Sequence, residues 1–379
     1  MRVGIITVHN GQNYGASLQA FALVEKLRQM GYEAYLLDYR AKKIEDRMRS
    51  YTSYVMWTSA SGIKHNIRLF SSNLFFKANQ HTALVKEKFD SFHATILDKT
   101  HGSIYEKSEL SFLNKDYDAF VCGSDQIWNR NITDLDGAFF LDFANTGKIT
   151  VAYAPSLGMA SDKVEINEME IFRRQLGYIQ HLSVREANNM ELISNLAERY
   201  CEVVVDPVLL LTKTDWEKLT SKAGDVCPDE SYAFYYPVIE QPELETFALS
   251  ECKRRGIKLL NPRLVPSYAN RKGYTGFPKC IVGPLEFLKL LSNAELVFTN
   301  SFHGTVFSTV FSKELYILKL KGTQAHRNNR YIEYLKLIDL YDDSSTEDSI
   351  HIDCVSEDYL TKKIDMVVEK SIKYLRDSI

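Results

Sequence analysis

Residues 2–37 alternate strand, helix and strand, and no other feature limits the fold as tightly. Residues 2–8 form a short β-rich run, and residues 15–30 then carry Leu18, Phe21, Ala22, Leu27 and Met30 at helical spacing. Gly31 is placed to end that helix, and residues 33–37 read as the next strand, closing at Asp38. A β-α-β opening of this kind leads into a doubly wound parallel sheet. Further strand patterns at 119–122, 150–154, 181–184 and 203–205 alternate with helical ones. After Asp206-Pro207 the alternation begins again, with strands at 232–236, 257–260, 294–298 and 315–320 separated by helical patterns. At 379 residues the chain exceeds one ordinary core. The expected fold class is therefore α/β, built as two Rossmann-like lobes. The first spans residues 1–210 and is interrupted by a largely helical insertion at about 42–93; the second spans 211–350. Residues 351–379 end in a helix with Leu360, Ile364, Val367, Val368, Ile372 and Leu375 on one face, expected to pack back on the first lobe.

A net charge of -3 speaks against a nucleic-acid partner, which normally meets a strong basic excess. No stretch approaches the ~20 apolar residues that a membrane-spanning helix needs. The apolar start is cut by polar residues at 10–13, well short of a signal-peptide core. The six cysteines are scattered with no C-x-x-C pair, so they read as reduced thiols of a cytoplasmic protein, and no metal site is expected.

Four strand ends carry residues suited to chemistry. The first turn, residues 9–17, lacks both G-x-G-x-x-G and G-x-x-x-x-G-K-[ST], which removes a dinucleotide or Walker-type phosphate loop. It places Asn13, Gly15 and Ser17 at a helix start on the carboxyl edge of the sheet, as ligand contacts or as turn and cap residues. The run Gly123-Ser124-Asp125-Gln126-Ile127-Trp128-Asn129 joins a tight turn, hydrogen-bonding groups and a flat ring, a mixture that suits a sugar. A capped helix with a core Trp128 is the plain alternative. Arg185, closing the third strand end, offers a fork for a carboxylate or phosphate, or a surface pair with Glu186. In the fourth, Thr299 to Thr305, His303 sits among Asn300, Ser301, Gly304 and Thr305 where a strand passes into a helix, beside amides that favour an anion. A lone histidine is more often structural, but these neighbours favour function. Lys319, Lys321, His326, Arg327 and Arg330 beyond the next strand form a cationic rim or a solvated basic surface.

Taken in chain order, these motifs resemble the polysaccharide pyruvyl transferase family. The matching residues are Asn13-Tyr14-Gly15, Gly123-Ser124-Asp125-Gln126 with Trp128, Ser183-Val184-Arg185-Glu186, Asp206-Pro207, Ser301-Phe302-His303-Gly304, and Arg327 with Arg330 before a Leu-rich helix. The resemblance implies Rossmann-like lobes in a GT-B-like arrangement with the active site in the cleft. It implies transfer of a pyruvyl group from phosphoenolpyruvate onto two hydroxyls of a sugar in a surface-glycan precursor, giving a ketal. No cofactor is implied beyond phosphoenolpyruvate as the donor substrate. The acceptor would be a sugar or a lipid-linked oligosaccharide. His303 and Arg185 are implied to serve the donor, converging on one positively biased hollow. Lys321, in preference to Lys319, takes the place of a family lysine.

Phosphoenolpyruvate carries a carboxylate and a phosphate, so its site needs cations and oriented N–H donors. Protonation of its methylene carbon generates an oxocarbenium-like centre open to a hydroxyl, and His303 in its charged form is the expected acid. Asp125 is the candidate base or hydroxyl orienter, with Asn13, Gly15, Ser17, Ser124, Gln126, Trp128 and Asn129 for the acceptor. Arg40, Lys42, Lys43, Arg47 and Arg49 with Tyr51, Tyr54 and Trp57 suggest peripheral contact with the inner face of a membrane, against a helical cap as the plain alternative. Two rival functions remain open: a GT-B-type glycosyltransferase using a nucleotide sugar, and a non-catalytic sugar- or phosphate-binding protein.

Overall fold

The computed structural model describes residues 1–9, 11–40, 45, 73–264, 266–341, 348–353 and 355–379. It divides into two compact units. Unit 1 takes the described residues of Met1–Phe75 together with His93–Leu210 and Val368–Ile379, and unit 2 takes Phe76–Phe92 and Leu211–Val367.

Unit 1 opens with β1 (Arg2–Ile6), α1 (Tyr14–Gln29) and β2 (Glu33–Leu36). Next along the chain comes α2 (Asn73–His93), most of which belongs to unit 2. β3 (Ala119–Cys122) and β4 (Ile149–Ala152) complete a sheet of order β2-β1-β3-β4, parallel throughout. Every residue of β3 is buried, as in a sheet covered on both faces, which is why the sequence there reads as one apolar run. α3 (Ile166–Gln175), β5 (Ser183–Val184), α4 (Met190–Ala197) and β6 (Glu202–Val203) come next, with β5 and β6 paired in parallel. The unit also holds the end of the last helix: Ser371 Oγ accepts from Val205 N at 3.0 Å, and the Tyr374 hydroxyl donates to Ala152 O at 2.9 Å.

The step out of β3 depends on Gly123. Its φ is +121°, and a Cβ there would lie 2.0 Å from the Tyr153 carbonyl oxygen, so only glycine allows the next loop to turn at the sheet edge.

Unit 2 contains α5 (Lys213–Thr220), β7 (Tyr232–Tyr236), α6 (Pro242–Arg255), β8 (Lys258–Leu260), α7 (Pro284–Asn293), β9 (Leu296–Thr299), α8 (Phe302–Val310), β10 (Glu314–Leu318), α9 (Asn328–Leu337), β11 (Ser349–Ile352) and the start of α10 (Glu357–Ser378). Its sheet runs β11-β10-β9-β7-β8, parallel except for β11. That antiparallel edge strand is not legible in the sequence: four residues, Ser-Ile-His-Ile, alternate too briefly to stand out. From the insertion expected at about 42–93, Lys88 on α2 pairs with Glu286 on α7 at 2.6 Å within this unit. The α/β class with parallel, Rossmann-like sheets is the one expected from the sequence. The described cysteines are all free. No described helix is long and apolar enough to cross a membrane.

Candidate functional site

Three of the sequence motifs of unit 1 meet at one side chain. Arg185, just beyond β5, has a side chain only 3 % exposed. Its Nε donates to Glu186 Oε1 at 2.9 Å and its Nη1 to Asp206 Oδ2 at 2.8 Å, while Asp125 Oδ1 lies 3.6 Å from the same Nη1. Burial works against the charge of this guanidinium, but Glu186, Asp206 and Asp125 outweigh it and hold its pKa above the ordinary arginine value. Two nitrogens of its fork, Nε and Nη1, are thus engaged by carboxylates of its own unit. What it does is join the loops after β3, β5 and β6. Glu186, expected from the sequence only as a surface partner of Arg185, pairs with it in the interior, and Asp206, given no role from the sequence, is its second partner.

Asp125 itself stands at φ +62°, partly exposed, its carboxylate beside that buried cation. Gln126 Oε1 accepts from Asn129 Nδ2 at 2.8 Å, and Asn129 Oδ1 caps the next helical turn by accepting from Asn131 N at 2.9 Å. Two expected acceptor contacts are interior instead. Trp128 is 1 % exposed, stacked on Phe140 at 5.2 Å, with its indole N–H donated to Phe139 O at 3.1 Å. Its ring therefore fills the core, because that stack buries more apolar area than a turn-exposed indole would. Ser124 is also buried, its hydroxyl donating to Ala154 O at 2.7 Å. In the first turn, exposed Asn13 caps α1 by accepting from Ala16 N at 3.3 Å. Gly15 is buried inside the helix, and buried Ser17 faces His93 at 2.8 Å rather than a ligand.

A buried polar network that the sequence did not reveal lies below this edge. His9 Nδ1 is 3.1 Å from Thr7 O and its Nε2 is 3.0 Å from Asp38 Oδ1. Arg40 Nε and Ser103 Oγ each donate to Asp38 at 2.6 Å, and the His93 ring meets His9 edge-on at 5.6 Å. Burial alone would raise the Asp38 carboxyl, but the hydrogen bonds from His9, Arg40 and Ser103 win and hold it far below its ordinary value of 3.8. A depressed carboxyl contributes stability that is complete above the unfolded value and is lost as the pH falls through the folded one. Asp38→Asn is expected to lower the urea midpoint at neutral pH, and its deficit relative to the native chain is expected to shrink below about pH 4. A deficit that stays constant from neutral to acid pH rules out the ionised pair.

In unit 2, β7 and β9 end in register, Tyr236 opposite Thr299, and α8 starts from that edge. Ser301 is its N-cap, accepting from Gly304 N at 3.3 Å. Thr305 donates both its amide, at 2.9 Å, and its hydroxyl, at 3.0 Å, to Ser301 O. Asn300 Oδ1 accepts from Val238 N at 2.7 Å and its Nδ2 donates to Ile239 O at 2.7 Å, clamping the neighbouring loop. Asn300, Ser301, Gly304 and Thr305, expected to touch the donor, thus use their polar groups to shape the loop. What they present is His303, in the second helical position, 8 % exposed and edge-on to Phe302 at 5.1 Å. Of the expected rim, Lys319 donates to the Tyr341 hydroxyl at 2.9 Å, whereas Lys321 is 71 % exposed and pairs with Asp348. Arg327 ends a 3₁₀ turn and Arg330 stands on α9, both partly buried. Lys42, Lys43, Arg47, Arg49, Tyr51, Tyr54 and Trp57, which carried the membrane expectation, lie outside the described residues.

The family profile described as polysaccharide pyruvyl transferase matches residues 13–319. The chain belongs to that family. The match takes in Asn13, Gly15 and Ser17 of the first turn and the other three motif loops, and the membership supports a transferase. No curated protein matches this family member. Among solved structures, it is similar to the UDP-GlcNAc 2-epimerase of Methanocaldococcus jannaschii, with a TM-score of 0.50 at 12% identity over 97% of this chain and 93% of that one. It also resembles the UDP-GlcNAc 2-epimerase of Neisseria meningitidis bound to UDP-GlcNAc, with a TM-score of 0.48 at 10% identity over 100% of this chain and 99% of that one. The E. coli heptosyltransferase WaaC with ADP-2-deoxy-2-fluoro heptose gives 0.39 at 12% identity over 89% of this chain and 99% of that one. The first of these likenesses shows a shared fold of Rossmann-like units and nothing about ligands.

Proposed function

We propose that this family member transfers the pyruvyl group of phosphoenolpyruvate onto two hydroxyls of a sugar in a surface-glycan precursor, closing a cyclic ketal. The observation that carries this reading is His303, held by a fully engaged cap at the start of α8 inside the family-matched span. Its imidazolium gives a proton to the methylene carbon of the donor, and the carbonyl-derived carbon becomes electrophilic. One sugar hydroxyl adds there, its proton leaving with the departing phosphate, and the second hydroxyl closes the ring as its proton returns to the imidazole, replacing the one given to the methylene carbon. On unit 1, Asp125 with Asn13 and Gln126 is assigned to orienting acceptor hydroxyls, and Arg185 to fixing Asp125 rather than to binding the donor. The reaction is assigned to the cytoplasm, with a sugar or lipid-linked oligosaccharide as acceptor.

The test is incubation of the purified protein with phosphoenolpyruvate and candidate glycans, then mass spectrometry and a phosphate assay. A pyruvyl mass increment matched by phosphate release is the expected result. Thermal stabilisation by uridine or guanosine diphosphate sugars, with none by phosphoenolpyruvate, points instead to a glycosyltransferase. Donor binding without phosphate release on any glycan leaves a binding protein.

A further inference from the structure

We infer that Arg263 holds one of the two anionic groups of the donor, an inference that rests on the phosphoenolpyruvate reading above. Arg263 comes after β8, which ends at Leu260 and lies in register with β7 at the same carboxyl edge from which α8 departs. Its backbone is set by Asn261, whose Oδ1 accepts from Arg263 N at 3.0 Å. The guanidinium then folds back over β7. Nη1 donates to Pro237 O at 2.9 Å, Nη2 lies 3.4 Å from the Tyr236 hydroxyl, and Cζ sits 4.7 Å from the centre of the Tyr236 ring.

Those anchors are also tied to the His303 loop. Tyr236 O accepts from Thr299 Oγ1 at 2.5 Å, and Val238, next to Pro237, gives its amide to Asn300 at 2.7 Å. One short loop thus bears on Arg263 from one side and on the residues preceding His303 from the other.

Charge is what separates Arg263 from Arg185 and Arg255. Arg185 has three carboxylates around it, and Arg255 is paired with both Glu251 and Glu314. Among the described residues no carboxylate pairs with Arg263; its partners are a carbonyl, a hydroxyl and an aromatic face, all neutral. Half-burying a guanidinium carries a desolvation cost that neutral acceptors offset only in part, and an anion offsets the rest. Fixing the fork with neutral groups leaves its full charge for a ligand, and planar bidentate geometry suits a carboxylate or a phosphate. Phosphoenolpyruvate carries both, so one imidazolium beside one helix start leaves a second negative group to be matched.

The experiment compares the native chain with Arg263→Gln and Arg263→Lys in steady-state kinetics against phosphoenolpyruvate. Loss of a charge-assisted pair is expected to raise KM for the donor about 10- to 100-fold in Arg263→Gln, with kcat changed far less. Arg263→Lys, which keeps the charge and loses the fork, is expected to fall between the two. Unchanged KM in folded Arg263→Gln overturns the inference. The native chain supplies a second measurement that needs no variant: phenylglyoxal modification read by peptide mass spectrometry. Phosphoenolpyruvate is expected to protect Arg263, and modification at the same rate with and without it also overturns the assignment. If native protein shows no turnover and no protection at any arginine, the donor itself is wrong, an outcome distinct from the loss of Arg263 alone.

Discussion

Replacing His303 by Gln is expected to lower kcat by about 10²–10⁴-fold, the usual contribution of a positioned general acid. Glutamine approximates the length of the imidazole and can donate a hydrogen bond, but it has no proton to surrender near neutral pH. The surrounding loop has ties of its own. Ser301 caps the helix, Thr305 ties back to Ser301, and Asn300 clamps the loop after β7. The variant is therefore expected to fold, with a thermal midpoint close to the native one. KM for phosphoenolpyruvate is expected to move much less than kcat, because the decisive proton transfer belongs to the transition state. A histidine that served only packing against Phe302 would give the opposite pattern, a lower midpoint with turnover per folded molecule preserved. Phosphate release under saturating donor, set beside differential scanning fluorimetry, separates the two. Near-native turnover in the variant sinks the acid role.

Strand ends are legible in this sequence because buried parallel strands are continuous apolar runs and the residues after them turn abruptly polar: Cys122 to Gly123, Val184 to Arg185, Thr299 to Asn300. The β-α-β alternation emerges from the same contrast. Side-chain direction is not legible. Trp128 and the polar residues beside it occupy one short loop, yet the indole turns inward onto Phe140 while Asp125 stays partly exposed. One-dimensional spacing contains no information about that choice, which depends on the rings of Phe140 and Phe172 and the carbonyl of Phe139, further along the chain. The partners of Arg185 are hidden for a related reason. Asp125 and Asp206 lie 60 and 21 residues away in sequence and meet it only because the fold brings the loops after β3 and β6 together at Arg185. Small polar residues around His303 suggest ligand contacts. Most are engaged in capping instead, since a loop that must hold one ring still has to satisfy its own amides first.

Removing the hub of unit 1 is expected to give the largest loss of stability of any substitution considered. Arg185→Met deletes the cation that stands between Glu186, Asp206 and Asp125 while keeping much of the side-chain volume. Breaking a buried pair by removing one partner typically costs about 3–5 kcal/mol, since the partner left behind is a charge without water or counter-charge. Here more than one carboxylate is left, so the upper part of that range is expected in urea unfolding monitored by circular dichroism. Adding Asp206→Asn to Arg185→Met removes one of the stranded charges and is expected to recover part of the loss, a coupling of about 0.5–3 kcal/mol in a double-mutant cycle. Arg185→Lys distinguishes a clamp from a donor ligand. It retains the charge but cannot span two carboxylates with one planar fork. A clamp predicts reduced stability with KM for phosphoenolpyruvate little changed and kcat lowered through a displaced Asp125. A donor ligand predicts native stability with a raised KM, and that outcome would return Arg185 to the role its sequence neighbours suggested. The geometry favours the clamp, because a guanidinium already held at 2.8 and 2.9 Å by two carboxylates must shed them before it can serve an incoming anion.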